Sequence, residues 1–242
     1  MTRRRWIADK IQGNLAFLQG QNAEHLARVL RARVGQEFEI AAENRIYLGR
    51  IKHISEQEVI FELSQELESV EAEAKSGVML WLAVFKFDRM EWAIEKATEL
   101  GVDKIIPLIA QRSDTHLAAA AKKRVERWRR ITREASQQSR RSLPPEVLGP
   151  TSLKEALGSA GGTRVVLSEY EKERQLAAVL SEVDAREAIS LAIGPEGGWT
   201  EKELEAFSLA GWTPASLGPN ILRAETAAIA ALAVMGATRR SP

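Results

Sequence analysis

Two short stretches combine residue types suited to binding a small molecule and acting on it. The first, Ser190 to Trp199 (SLAIGPEGGW), is a glycine-rich loop that follows an apolar run and carries one carboxylate, Glu196. The second, Leu217 to Thr226 (LGPNILRAET), is a loop of the same kind and carries Arg223 and Glu225. Gly197 and Gly198 let backbone amides approach a ligand closely. The spacing of Gly194, Gly197 and Gly198 fits neither the dinucleotide fingerprint GxGxxG with its downstream acid nor a phosphate loop, which needs Lys followed by Ser or Thr. Read from the residues alone, the first loop is equally a tight turn, and Arg223 and Glu225 are equally a capping and local pairing device. The functional alternative is that the two loops enclose a ligand while Arg223 and Glu225 face a substrate.

A third stretch is suited to polyanions. Between Lys122 and Arg141 there are nine Lys or Arg against two Glu, Glu126 and Glu134. On a helix Ala121, Val125, Trp128, Thr132 and Ala135 share one face, while Lys123, Arg127 and Arg130 point the other way. The apolar side can then pack while the basic side meets phosphate or only water. Arg3, Arg4 and Arg5 beside Trp6 form a smaller cluster, suited to RNA contact or to a disordered tail. His25, His53 and His116 are isolated from one another and read as structural. With no cysteine at all, a disulfide scaffold, a thiolate nucleophile and Cys-based zinc sites are excluded, and no metal is expected.

These stretches must be positioned by a framework, and the sequence suggests two. From about Gly35 to Leu63 short β-like runs (Glu37 to Ala41, Ile46 to Ile54, Glu58 to Leu63) alternate with polar turns, which predicts a small β-rich domain. Residues 62–75 carry five Glu and one Lys, a composition suited to a solvated connection or edge strand. The boundary is placed near residue 73, giving domains over 1–72 and 73–242. Beyond it strand and helix alternate, which predicts a parallel sheet covered by helices, an α/β architecture. Strands are expected at Val78 to Phe85, Lys104 to Ala110, Arg164 to Ser168, Ala188 to Ile193 and Pro214 to Leu217. Helices are expected over Asp88 to Leu100, capped by Asp88 with Glu91, and over 117–138, 152–158, 200–210 and 224–238. In the first of these Met90, Ala93, Ile94, Ala97 and Leu100 share a face. Thr200 and Glu203 form a capping-box pattern at the fourth. Ala227 to Ala237 (AAIAALAVMGA) is apolar all round, so the last helix should be buried in the core, in a subunit interface, or in both.

The chain has 242 residues with 45% hydrophobic content, enough for two modest cores. Its net charge is only +1, so nucleic-acid affinity must come from local clusters. No apolar run reaches the roughly 18 residues of a membrane span, and the N-terminus has no signal-peptide pattern. A cytoplasmic protein without membrane contact is expected.

Taken together, HLARVLR (25–31), FDRMEWAIEKATELGV (87–102), QRS (111–113), RW (127–128), AIGPEGGWTEKE (192–203) and LGPNILRAETA (217–227) resemble the RsmE family, the 16S rRNA uracil-N3 methyltransferases. The resemblance runs from near the N-terminus to the end of the last helix. It implies a PUA-like β-barrel at the N-terminus and a SPOUT-type methyltransferase domain whose C-terminal segment forms a trefoil knot. It implies S-adenosyl-L-methionine as cofactor, held by three loops that match Leu167, Ser168 and Glu169; Ile193, Gly194, Pro195, Glu196, Gly197 and Gly198; and Leu217, Gly218, Asn220, Ile221 and Leu222. It implies a homodimer with helices near the knot at the interface, and 16S rRNA of the small ribosomal subunit as partner. RNA contacts are expected at Arg3, Arg4, Arg5, Arg28, Arg31, Arg112, Lys123, Arg127 and Arg130. Asn220 and Ala224 depart from the commoner LGPRILRTETA, so neither an Arg nor a hydroxyl acts at those positions here.

Methylating N3 of uridine requires the imide proton to leave. Arg223 suits stabilisation of the charge then developing on the ring, and Glu225, ranked above Glu196, suits removal of the proton. The alternatives are a SPOUT enzyme acting on ribose 2′-OH or on tRNA, and a catalytically silent RNA-binding protein of ribosome assembly.

Overall fold

The computed structural model describes residues 4–43, 45–69, 77–158, 160–184 and 187–238. The chain forms two compact units, Met1–Ala74 with Arg133–Pro144, and Lys75–Thr132 with Pro145–Pro242. Residues 133–144, which sequence order assigns to the second domain, therefore pack with the first. The expected boundary near residue 73 and the residue Arg3 lie outside the described residues.

The first unit is built on strands β1 (Trp6–Ile7), β2 (Lys10–Gln12), β3 (Leu15–Gln19), β4 (Glu37–Ala42), β5 (Arg45–Ile54) and β6 (Glu58–Ser69). A short helix α1 (Gln21–Glu24) continues into a π-helical turn, His25–Val29. The sheet order is β1-β4-β5-β6-β3-β2. Only Ala8 and Asp9 separate β1 from β2, yet these strands occupy opposite ends of that order, so the sheet must curl back on itself. Register shifts along β5 and β6, at Ile46/Tyr47, Tyr47/Gly49 and Ile51/His53, supply the bending, since a bulge kinks a strand and increases its twist. The result is a curled half-barrel, with no pairing of β1 to β2 among the described residues. Trp6, Leu18, Leu26, Ile40, Ile51 and Phe61 fill its core.

Arg5 is not a free RNA contact. Only 4% exposed, it donates to the Arg140 carbonyl at 2.6 Å and pairs with Glu39 at 3.3 Å. Arg4 donates to Gln137 Oε1 at 3.0 Å and lies 4.8 Å from the Trp6 ring centroid. Arg133 bonds the Ile7 carbonyl and pairs with Asp9. A guanidinium leaves water only where several acceptors meet it, and these arginines are consumed in stitching residues 133–144 to the sheet.

The second unit carries a seven-stranded sheet in the order β10-β8-β7-β12-β11-β13, with β9 also on β8 and every pairing parallel. Its elements are β7 (Val78–Ala83), α2 (Phe87–Glu99), β8 (Lys104–Ile109), α3 (Thr115–Gln138), β9 (Glu146–Val147), β10 (Thr151–Ser152), α4 (Leu153–Leu157), β11 (Thr163–Leu167), α5 (Leu176–Ser181), β12 (Ile189–Ile193), α6 (Glu201–Leu209), β13 (Thr213–Ala215) and α7 (Ala224–Thr238). The expected α/β alternation is present, while the short β9, β10 and α5 carry too little periodicity to be foreseen. One sheet face packs Met90, Ile94, Trp128, Leu176, Leu232 and Met235; the other packs Trp81, Trp199, Phe207 and Trp212.

Helix faces are mostly as the 3.6-residue period requires. Ala121, Val125, Trp128, Thr132 and Ala135 are all buried, as are Met90, Ala93, Ile94 and Ala97. Leu100 is not: it falls one residue past α2 and is 39% exposed. Asp88 is not the cap either, since α2 begins at Phe87 after Lys86 and Asp88 sits in the first turn. Helix α7 is half buried within the chain and half open. Ala228, Ala231, Leu232 and Met235 are buried, whereas Ala233, Gly236 and Ala237 are exposed and Ile229 and Ala230 partly so. No helix among the described residues is long and apolar enough to cross a membrane.

Candidate active site

Strands β12, β11 and β13 are adjacent and parallel, with Val166 beside Ala192 and Leu167 beside Ala215. Their carboxyl ends therefore release three loops at one edge of the sheet, where ligands of open α/β sheets bind. The loop after β11 is zipped to the one after β13: the Ser168 amide donates to the Ala215 carbonyl at 3.1 Å and the Ser216 amide to the Arg174 carbonyl at 2.8 Å. The loop after β12 is tied to the end of β11 by Trp199, whose indole Nε1 donates to the Leu167 carbonyl at 3.0 Å.

Between the loops lies a cavity of about 330 Å³. Leu167, Ser168, Glu169, Ile193, Gly194, Pro195, Glu196, Gly198, Leu217, Gly218, Asn220, Ile221, Leu222 and Arg223 all line it. The three loops picked out in the sequence thus converge on one space. Gly197 is the exception among the cofactor residues, because it faces away: a Cβ there would meet the Arg112 side chain at 3.4 Å. Gly198 is the constrained position. Its φ of +68° is a backbone conformation that favours glycine, and a Cβ there would lie 2.6 Å from Glu169 Oε1, the movable end of that side chain.

The start of α6 is anchored from beneath. Thr200 and Glu203 form the expected capping box, and the buried Glu203 carboxylate also accepts from the Gln111 amide at 2.8 Å. The next residue, Arg112, donates through Nη1 to the carbonyl oxygens of Gly197 at 2.7 Å and Trp199 at 3.2 Å. It braces the loop from an exposed position.

The charged residues sort differently from the sequence expectation. Arg223 is exposed at the cavity wall and makes no side-chain hydrogen bond or ion pair among the described residues, so it is not a costly buried guanidinium. Glu225 lies in the first turn of α7, where helix amides favour an anion. Its side chain is 7% exposed and it does not line the cavity. Sequence reasoning missed Arg89, on the first turn of α2, which lines the cavity and reaches both Glu196 and Glu225. Its signal was the FDRM segment, which reads as a helix start and as part of the resemblance but gives Arg89 itself no role.

On the basic helix, Lys123 and Arg130 are exposed and have no ion-pair partner among the described residues. Arg127 is engaged, its Nε 2.7 Å from Glu91 Oε1, and Arg124 lies over the Phe87 ring at 4.7 Å. Arg28 is exposed and paired with Glu24 and Glu56. Arg31 is exposed with φ 49°.

Comparison with known proteins bears on what the cavity is for. The family profile described as RNA methyltransferase domain matches residues 72–236, and that described as RNA methyltransferase PUA domain matches 18–64. A ribosomal RNA small subunit methyltransferase E from Mesomycoplasma hyopneumoniae is 31% identical over 93% of this chain and 95% of its own length. The chain belongs to this RNA methyltransferase family. Two solved structures share its architecture. A Legionella pneumophila protein in complex with the bound cofactor SAM has a TM-score of 0.84 at 29% identity, covering 97% of this chain and 96% of that one. A ribosomal RNA small subunit methyltransferase E from Neisseria gonorrhoeae bound to S-adenosyl methionine has a TM-score of 0.82 at 28% identity, covering 96% of each.

Proposed function

We propose that this methyltransferase moves the methyl group of S-adenosylmethionine to N3 of a uridine in 16S rRNA of the small ribosomal subunit. The observation that carries the reading is the cavity formed by the three loops, with Arg223 and Glu196 on its wall. The cavity suits the cofactor: all three loops line it, and two of them turn through glycines with positive φ, Gly198 at +68° and Gly218 at +119°. Leu167 to Glu169, Ile193 to Gly198 and Leu217 to Leu222 would hold the ligand, and when bound it supplies an electrophilic sulfonium methyl.

The protein's own groups then have three tasks. The target base must leave its stack to enter the cavity. Arg223, free at the wall, faces the carbonyl edge of the base and stabilises charge as the imide proton departs. A carboxylate takes that proton. The first unit and the free cations Lys123 and Arg130 hold the RNA backbone. The same reading includes the family's knotted threading of the C-terminal segment, a homodimer that covers the open apolar side of α7, and action in the cytoplasm.

Incubation with unmodified small subunits and with free rRNA, followed by digestion and nucleoside mapping, tests the reading. N3-methyluridine in the small-subunit RNA is expected. A 2′-O-methyl product or a tRNA product would replace this reading with another reaction on the same fold.

A further inference from the structure

Two carboxylates border the cavity, Glu169 and Glu196, and they are held differently. Glu169 packs against Gly198 of the neighbouring loop and has no ion-pair partner among the described residues. Glu196, 40% exposed at its side chain, stands 3.3 Å from Arg89 Nη1, and that same nitrogen stands 3.8 Å from Glu225 Oε1. One guanidinium therefore sits between a carboxylate at the cavity and a carboxylate behind it.

The two ends of this arrangement are unequal. Glu225 is enclosed at the start of α7, and its Oε2 is buried without a hydrogen-bond partner. A carboxylate so enclosed is costly without a cation beside it, so Glu225 and Arg89 fix each other. Glu196 is on the open side, on a loop braced from below by Arg112. Glu225 cannot meet a substrate from where it lies; Glu196 can.

We infer that Glu196 takes the N3 proton of the target uracil, and that Arg89, held by Glu225, is the positioning residue that fixes Glu196 at the cavity wall. The inference rests on the N3-uridine reading above, and it reverses the order in which the sequence ranked the two acids. In the step the N3–H bond breaks and the proton passes to a Glu196 oxygen. The nitrogen pair so released forms the N–CH3 bond, and the pair of the broken S–CH3 bond stays on sulfur as a neutral thioether. The negative charge of the carboxylate and the positive charge of the sulfonium disappear together, while Arg89 and Glu225 keep theirs.

The test uses Glu196→Gln, Glu169→Gln, Arg89→Gln and Arg89→Lys in the full chain, with three readouts. These are adenosylmethionine affinity by calorimetry, RNA affinity by fluorescence anisotropy, and the single-turnover rate on small subunits reconstituted with uridine or 5-fluorouridine RNA. Fluorine at C5 makes the N3–H more acidic and so relieves the need for a base. At saturating adenosylmethionine and RNA, Glu196→Gln should lose about a hundredfold or more in rate on uridine RNA, and recover about tenfold or more of that loss on 5-fluorouridine RNA. Arg89→Gln should show the same pattern more weakly, and Arg89→Lys should regain part of the rate. A wild-type rate in Glu196→Gln, a loss that 5-fluorouridine leaves unchanged, or a rescue seen in Glu169→Gln instead would overturn the inference. A wild-type product other than N3-methyluridine would sink the underlying reading instead, whatever Glu196→Gln does.

Discussion

Arg112 Nη1 donates to the carbonyl oxygen of Gly197 at 2.7 Å, one residue before the positive-φ turn at Gly198 in the loop after β12. A charged donor to a backbone carbonyl contributes about 1.5–3 kcal/mol. Removing it loosens the Gly197–Gly198 turn, although Trp199 still ties the loop to Leu167. Arg112→Ala should therefore weaken adenosylmethionine binding by about tenfold while the chain stays folded, as read by calorimetry and circular dichroism. RNA affinity in the absence of cofactor should not change. A fall in RNA affinity with cofactor affinity intact would return Arg112 to the RNA contacts that the sequence assigned it.

Arg223 supports a complementary expectation, because it is exposed and unpaired. Arg223→Ala should leave melting temperature nearly unchanged, within the roughly 0.5 kcal/mol typical of surface changes. If the guanidinium stabilises the uracil anion, the single-turnover rate should drop by about 10²–10³, with Arg223→Lys recovering part. Loss of RNA affinity with the rate intact would make it a docking residue.

For the basic helix the relevant cations are those left free. Lys123→Glu with Arg130→Glu should lower RNA affinity and flatten the slope of log K against log salt by about 1.5, the amount expected for two lost phosphate contacts. Arg127→Glu is a poorer probe, because it also breaks the Glu91 pair. An unaltered salt slope in the double variant would leave this face as solvated surface.

Ala233 stands in the middle of the open side of α7. A charge there would be desolvated in any interface that uses this side. Ala233→Glu should convert a dimer to a monomer at micromolar concentration in light scattering, and should improve rather than harm the solubility of the separate chain. A wild-type chain that is monomeric and active would remove α7 from any interface.

His25 gives a pH dependence with a defined sign. Burial, and then the nearby Arg4 charge, lower its pKa from the ordinary value of 6.5. The unfolded chain thus binds the proton more readily than the folded one, so stability is fully present above about pH 6.5 and declines as pH falls through the lowered value. His25→Gln should make the melting temperature less dependent on pH below 6.5 than in the wild type. An equal acid slope in both proteins would place the sensitivity elsewhere.

Much of this was legible from the residues, for reasons that can be named. The faces of α3 and α2 followed from helical period, and the start of α6 followed from the Thr200–Glu203 pair, because both are local rules. Two of the three loops stood out by their glycines, but the loop at Leu167 to Glu169 entered only through the resemblance, since nothing in the spacing of Leu167, Gly194 and Gly218 says that β11, β12 and β13 lie side by side. The charged residues were the least legible. Whether Arg5, Arg112 or Arg127 is free depends on acceptors supplied by Arg140, Gly197 and Glu91, each brought in by chain far away or by another helix. Arg89 was passed over because its segment served as a helix start and as part of the resemblance, and neither use says which way the side chain points. Leu100 shows the converse error, a periodic position that falls just beyond the helix it was meant to belong to.

The grouping of residues 133–144 with the N-terminal sheet sets the order in which the protein can be completed during synthesis. The half-barrel strands emerge first, but Gln137 and Arg140, which bond Arg4, Arg5 and Glu39, follow only after β7, α2 and β8 have been made. N-terminal regions ordinarily fold as they leave the ribosome, yet here the first unit must wait with Arg4 and Arg5 short of the acceptors that Gln137 and Arg140 supply and the Ile7 carbonyl short of Arg133. A fragment ending near residue 73 would carry the same deficit permanently. The N-terminal unit is consequently not a cassette that can be cut out or grafted at its apparent end in the sequence. It travels only with the helix that closes it.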